Sequence, residues 1–191
     1  MPLLTQSRAE RIFARGILLI LLAVSCGGTA LAAVFSADAV KAAFLYRFAS
    51  YIEWPDIAQS NEFVVAVSGA DGVADQLEQL LPGITVHGKP AKLRRVARPS
   101  DLGGVHILYI GPQSLSHTRA LRQAAIKLPI LMVTEDPKGF DAGGIINFVE
   151  QNRNVRFEVS LAGAQRARLR IDSALLAVAA RVERLVPEPA P

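Results

Sequence analysis

Apolar positions along the chain follow two periods. From Ser36 onward the period is helical, with Val40, Phe44, Phe48 and Tyr51 recurring every three or four residues. Ser36 is placed to cap this helix, and Asp38 lies in its first turn, where the helix dipole favours a carboxylate. The helix is expected to stop before Trp54-Pro55, because Pro55 disfavours helical backbone at Trp54. Tyr46, Tyr51 and Trp54 read as core aromatics with polar tips at the rim, the alternative being an aromatic contact surface. Short apolar, β-branched runs then take over. Residues 63–67, 105–110 and 129–133 read as buried strands, and 91–96 as a strand with Lys92, Arg94 and Arg95 at or near solvent. Residues 73–81 and 114–126 read as helices between them, the first ended by Pro82-Gly83.

The last third changes period. Runs at 145–148 and 155–161 flank a turn at Asn152-Arg153-Asn154 and predict a hairpin. In the second run Val155, Phe157, Val159 and Leu161 share one face, and Arg156, Glu158 and Ser160 the other. Leu175, Leu176, Val178, Ala179 and Val182 fit the buried face of a closing helix over 173–184. Strands alternating with helices make this an α/β chain, with a mixed, mostly parallel sheet flanked by helices. The C-terminal antiparallel hairpin is expected at the sheet edge, followed by the closing helix. The link from 96 to 105 is short for a crossover helix and leaves strand order there open.

The N-terminus belongs to none of this. Arg8, Arg11 and Arg15 precede an apolar run too short to span a bilayer, and Ala30-Leu31-Ala32 has the small-x-small form of a signal-peptidase site. Residues 1–32 therefore read as a cleaved secretory signal, 33–185 as a single domain and 186–191 as a disordered Pro-rich tail. Cleavage leaves 18 basic and 16 acidic residues, so the net charge of +4 falls to +2 and argues for no nucleic-acid partner. The lone cysteine, Cys26, leaves with the signal unless it is lipidated, so the exported domain rests on its core without disulfides.

Candidate chemistry is sparse. In an open α/β sheet, ligands sit beyond the carboxyl ends of the strands, which nominates Ser68, Gly69, Gly111, Gln113, Thr134 and Asp136. The glycines at 69 and 72 lack both a Walker lysine and a dinucleotide fingerprint, and read as an ordinary strand–helix turn. His87, His106 and His117 have no ligand partner at helical spacing, and Ser68 lacks a nucleophile elbow. Neither a metal nor another cofactor is implied, and no enzyme. Two basic clusters, Lys92/Arg94/Arg95/Arg98 and Arg166/Arg168/Arg170, are solvated faces, or a docking surface for an anionic partner or for lipid headgroups of the inner membrane.

Three blocks together resemble the YfiR family of small exported YfiR/HmsC-like proteins. The first runs from Val40-Lys41-Ala42-Ala43-Phe44 through Phe48 to Trp54-Pro55. The second joins His106-Ile107-Leu108-Tyr109-Ile110 to Pro129-Ile130-Leu131-Met132-Val133-Thr134. The third is Gly143-Gly144-Ile145-Ile146-Asn147-Phe148, then Arg156-Phe157-Glu158-Val159-Ser160, then Leu169 and Leu175-Leu176. Ser160 stands where the family usually has Asn, Arg166 and Arg168 make their stretch more basic, and the cysteine pairs of some relatives are missing. The resemblance implies a periplasmic regulator that binds and represses the periplasmic sensor domain of an inner-membrane diguanylate cyclase, lowering cyclic di-GMP and biofilm formation. The expected contact surface is Arg156, Glu158, Ser160, Leu161, Arg166 and Arg168. A homodimer is expected through an apolar patch on the first helix, and membrane contact only through the partner or a lipid on Cys26. The alternative is a periplasmic module that senses a small molecule at the strand ends.

Overall fold

The computed structural model describes residues 36–112 and 115–184. The signal, Cys26, Gln113 and the Pro-rich tail lie outside the described residues. Helix α1 (Ala37–Ala49) begins as expected, with the Ser36 hydroxyl accepting from the Ala39 amide at 3.1 Å. The chain then runs through β1 (Ile52–Glu53), β2 (Phe63–Ser68), α2 (Asp71–Leu80), β3 (Thr85–Val86), β4 (Lys89–Arg95) and β5 (Val105–Ile110). It continues through α3 (Leu115–Ala125), β6 (Leu131–Thr134), β7 (Ile146–Gln151), β8 (Asn154–Ser160), α4 (Leu161–Arg166), β9 (Arg170–Ile171), α5 (Ser173–Val178) and β10 (Arg181–Glu183).

Eight strands form one sheet in the order β10-β8-β7-β6-β5-β2-β4-β3. Only β7–β8 and β3–β4 pair antiparallel; the rest of the ladder is parallel. Strands β2, β5 and β6 are buried along their whole length, which is why they read as unbroken apolar runs. One face carries Phe63, Val65, Ile107, Tyr109, Leu131, Val133, Phe148 and Phe157 against α1 and α2. The other carries Val64, Ala66, Leu108, Ile110 and Met132 against Leu121 and Ala125 of α3. The short 96–105 link places β4 outside β2, with Leu102 of a 3₁₀ turn (Pro99–Leu102) packed in the second core.

Two expectations change at the C-terminal side. The closing helix ends at Val178, not near 184, and Ala179 turns extended into β10. Only Leu175 of its apolar residues is buried, and Val178 is 58% exposed. Strand β10 pairs in parallel with β8, and the Ala180 amide donates to the Phe157 carbonyl at 2.8 Å. The hairpin is therefore not the edge, because β10 covers the outer hydrogen-bonding row that β8 would otherwise leave bare. Satisfying that row outweighs continuation of an exposed helix.

The hairpin turn itself is tight. Asn152 and Arg153 both have positive φ, 52° and 61°, as a two-residue type I′ turn demands. Arg153 is exposed in a conformation that glycine adopts without strain. Arg153→Gly is expected to raise stability by about 0.5–1 kcal/mol, read as an increase in the urea midpoint at unchanged slope.

Candidate interaction surface

The motif residues converge on the interior. Phe48 of α1 lies 5.0 Å from Phe157 and 5.9 Å from Phe148 between ring centroids, and Phe44 lies 5.5 Å from Phe157. The first helix and the hairpin thus share one aromatic cluster. Lys41 reaches from α1 to both oxygens of Glu135, at 2.7 Å each, just past β6. The Tyr109 hydroxyl donates to the same carboxylate at 2.7 Å. Burial, reinforced by that carboxylate, pushes the Tyr109 phenol far above its usual range, so it stays a donor. Asn147 is the polar keystone of the third block. Its Oδ1 accepts from the Thr134 hydroxyl at 2.8 Å and from the Asp136 amide at 3.1 Å. A side chain at Gly144 would crowd Thr134 and the Gly139 backbone. This close approach gives the Gly-Gly-Ile-x-Asn-Phe pattern its physical reason.

His106 is the extra residue of a β-bulge, where Val64 opposes Val105 and Val65 already opposes Ile107. The Val64 amide donates to its Nδ1 at 3.1 Å, and its Nε2 faces the Ser60 hydroxyl at 3.1 Å. A ring nitrogen that accepts from an amide carries no proton, so this imidazole is neutral. Trp54 donates its indole N–H to the His106 carbonyl at 3.2 Å. Burial first, then the neighbouring His87, holds the His106 pKa below the ordinary 6.5. The unfolded chain takes up a proton there that the folded chain refuses. Its stabilising contribution is whole above about pH 6.5 and is lost as pH falls from there through the depressed folded value. Urea midpoints at pH 7.5 and 5.0 are expected to show this loss. His106→Ala is expected to flatten it while costing about 1–3 kcal/mol at pH 7.5, because the Val64 amide is left unpaired.

Of the strand-end candidates, Ser68, Gly69 and Gly111 meet one another, while Thr134 and Asp136 turn to Asn147. The Gly111 amide donates to the Ser68 carbonyl at 2.9 Å, and a Cβ on Gly111 would strike the Gly69 carbonyl oxygen. Thr134 is fully buried against Asn147. In the first basic cluster Lys92 is exposed, and the three arginines have partners within the fold. Arg95 pairs with Asp71, Asp75 and Glu78, Arg94 donates to the Asp101 and Gly103 carbonyls, and Arg98 pairs with Asp101.

Outward-facing chemistry gathers on the outer strands instead. Glu158 of β8 accepts a two-pronged bond from Arg181 of β10, at 2.9 and 2.7 Å. The Arg181 guanidinium also lies over the Phe140 ring, 5.4 Å from its centroid. Arg156 is exposed and donates to the Val178 carbonyl at 3.2 Å. Ser160, on the same side of β8, is buried, and its hydroxyl caps α4 by accepting from Gly163 at 3.2 Å. It sets the exit of the strand; it does not belong to the open face. Leu161 is half-buried, Arg166 is exposed beside a cleft lined by Ile126 and Gly143, and Arg168 is exposed with a φ of 57° just after α4. Sequence reading missed Arg181 and Phe140, since Arg181 fell inside a presumed helix. A separate apolar cleft of about 470 Å³, lined by Val40, Ala43, Phe44 and Leu80, opens between α1 and α2.

Among the described residues no group of three or more His, Cys, Asp or Glu could hold a metal ion, and no helix is long and apolar enough to cross a membrane. A sequence model of YfiR/HmsC-like proteins matches residues 38–180. The chain belongs to the YfiR/HmsC-like family. Its members are periplasmic, regulatory proteins associated with diguanylate cyclases. The match spans all three motif blocks, from the Lys41 helix to α5. No curated protein sequence matches the chain. Among solved structures it is similar to a conserved domain protein from Vibrio cholerae O1 biovar El Tor, with a TM-score of 0.49 and 11% identity over 78% of this chain and 61% of that one. It is also similar to an ABC domain in complex with L-Trp from Streptococcus pneumonia, with a TM-score of 0.46 and 10% identity over 63% and 55%. The YfiR/HmsC-like chain thus spans less than two thirds of either structure.

Proposed function

We propose that this protein is a periplasmic repressor, not an enzyme, that binds the periplasmic sensor domain of an inner-membrane diguanylate cyclase and so lowers cyclic di-GMP and biofilm formation. Family membership supports the class of partner. The observation that carries the surface is the Glu158–Arg181 fork with Arg156 and Phe140, an ordered array of charges on strands otherwise locked into the sheet. Leu161, Arg166 and Arg168 extend that surface, and Ser160 positions them from behind. Repression is a population shift: preferring the inactive sensor by 100-fold supplies at most about 2.7 kcal/mol.

The test is affinity capture of the exported protein from solubilised inner membrane, with the charge-swapped pair Glu158→Arg/Arg181→Glu as the comparison. The swap keeps an ion pair and inverts its field. A membrane protein with a periplasmic sensor and a cytoplasmic cyclase domain is expected on the native protein. Its affinity is expected to fall at least tenfold, about 1.4 kcal/mol, on the swapped one at similar melting temperature. Undiminished binding to the swap removes this surface, and capture of no cyclase from cells that express one removes the partner.

The domain plan belongs to the same proposal: a signal over 1–32 that is cleaved, one domain over 33–185, and a tail over 186–191. Intact mass of the periplasmic protein distinguishes cleavage after Ala32 from a lipid on Cys26. The apolar cleft on α1 supports a homodimer, which sedimentation showing only monomer at micromolar concentration would remove.

A further inference from the structure

Arg122 lies on α3, one turn after Thr118, and the two side chains share a buried face of that helix, at 4% and 3% exposure. A buried guanidinium normally has acceptors for its N–H groups, since leaving it unpaired is costly. Here Nε and Nη1 have none among the described residues, and neither does the Thr118 hydroxyl. The nearest carboxylate does not settle the account. Asp136 Oδ2 stands 4.0 Å from Nη2, beyond hydrogen-bond reach, and Asp136 Oδ1 is held by the Lys138 amide at 2.7 Å. Burial lowers the Arg122 pKa, with Asp136 opposing.

The guanidinium lines a cavity of about 370 Å³, within the size range of small-ligand pockets. Arg119 and Gln123 of α3, with Ile126 just past its end, form one wall, and Lys138 and Asp141 the other. Three cations, Arg119, Arg122 and Lys138, thus line the cavity with one carboxylate, Asp141, and Asp136 stands beside Arg122, leaving an excess of positive charge around a buried fork. We propose that this cavity binds a small ligand through an oxyanion head, a carboxylate or a phosphoryl group, with Arg122 as the principal donor and Lys138 closing over it. None of these residues lies on the partner face of β8 and β10. A planar guanidinium with free N–H groups matches an oxyanion in geometry and charge, and a ligand head supplies the acceptors the fold leaves out. Ile126 and Ala142 offer apolar contact to whatever the head carries.

The test is thermal unfolding and calorimetric titration of the exported protein with inorganic phosphate and, separately, with succinate, against sodium chloride at equal ionic strength. At a concentration near 100 times Kd the effective anion is expected to raise the melting temperature by about 8 °C. The anion that does so identifies the head group. Arg122→Met is expected to abolish the shift while folding at least as well as the native chain, because it removes an unpaired buried charge. Lys138→Met, at an exposed position, is expected to weaken binding severalfold without affecting the fold. No shift with either anion, or an undiminished shift in Arg122→Met, overturns the site.

Discussion

Phe48→Ala is expected to lower the unfolding free energy by about 3–5 kcal/mol, the upper range for truncation of a core side chain. Phe48 is wholly buried and meets Phe44 at 5.8 Å, Phe148 at 5.9 Å and Phe157 at 5.0 Å. Its removal forfeits the ring's own burial and the edge-to-face contact with Phe157, and opens a void that α1 and the hairpin cannot both move to fill. The neighbours are anchored independently, α1 by its salt bridge to Glu135 and the hairpin by ladders on both sides of β8. Collapse is therefore incomplete, and the cavity term remains. Against a total stability of about 5–15 kcal/mol, this is a large share. Urea unfolding reads it directly, and a loss under about 1.5 kcal/mol would mean that the two elements repack freely. Phe44→Ala, at a half-buried position, is expected to cost about half as much.

Glu135→Ala is expected to cost about 3 kcal/mol, more than an exposed ion pair could contribute. The Lys41 side chain is only 12% exposed and the Tyr109 hydroxyl is buried, so the substitution strands a cation and a hydroxyl together. The penalty comes from those orphans more than from the lost bond. The double substitution Lys41→Met/Glu135→Leu is therefore expected to recover most of the loss, and Tyr109→Phe alone to cost about 1 kcal/mol. Additive costs in the double variant, measured by chemical unfolding, would show that the three groups do not act as one network.

The centre of the fold was legible because its signals are local. Unbroken apolar runs mark β2 and β5, a serine and an aspartate mark the start of α1, and Trp54-Pro55 marks its limit. The family was legible because its three blocks keep their residue types even where their reasons are tertiary. What was not legible depends on pairing. The run from Leu175 to Val182 fits a helical face, yet the bare edge of β8 draws its last part into a strand. A two-residue strand such as β1 or β9 carries no period at all. On the candidate surface Arg156 and Glu158 were visible by alternation, but Arg181 and Phe140 come from a strand and a loop that only the fold brings alongside. Arg122 looks like any helix arginine in sequence. Its burial is set by the loop after β6, and Asn147, which fixes that loop, reads as an ordinary strand polar residue.

The ribbon of β1 and β9 pairs Ile52 with Ile171, and the Asp172 amide donates to the Tyr51 carbonyl at 2.9 Å. These contacts join residues just after α1 to residues just before α5, nearly the whole described chain apart. Closing a loop costs more entropy the longer it is, so this clasp is expected to form late, after the sheet has ordered the loop between its halves. It is also short enough to open without global unfolding. Time, then, is expected to divide the molecule, with the amides of this latch exchanging before those of β2 and β5 in a hydrogen-exchange measurement.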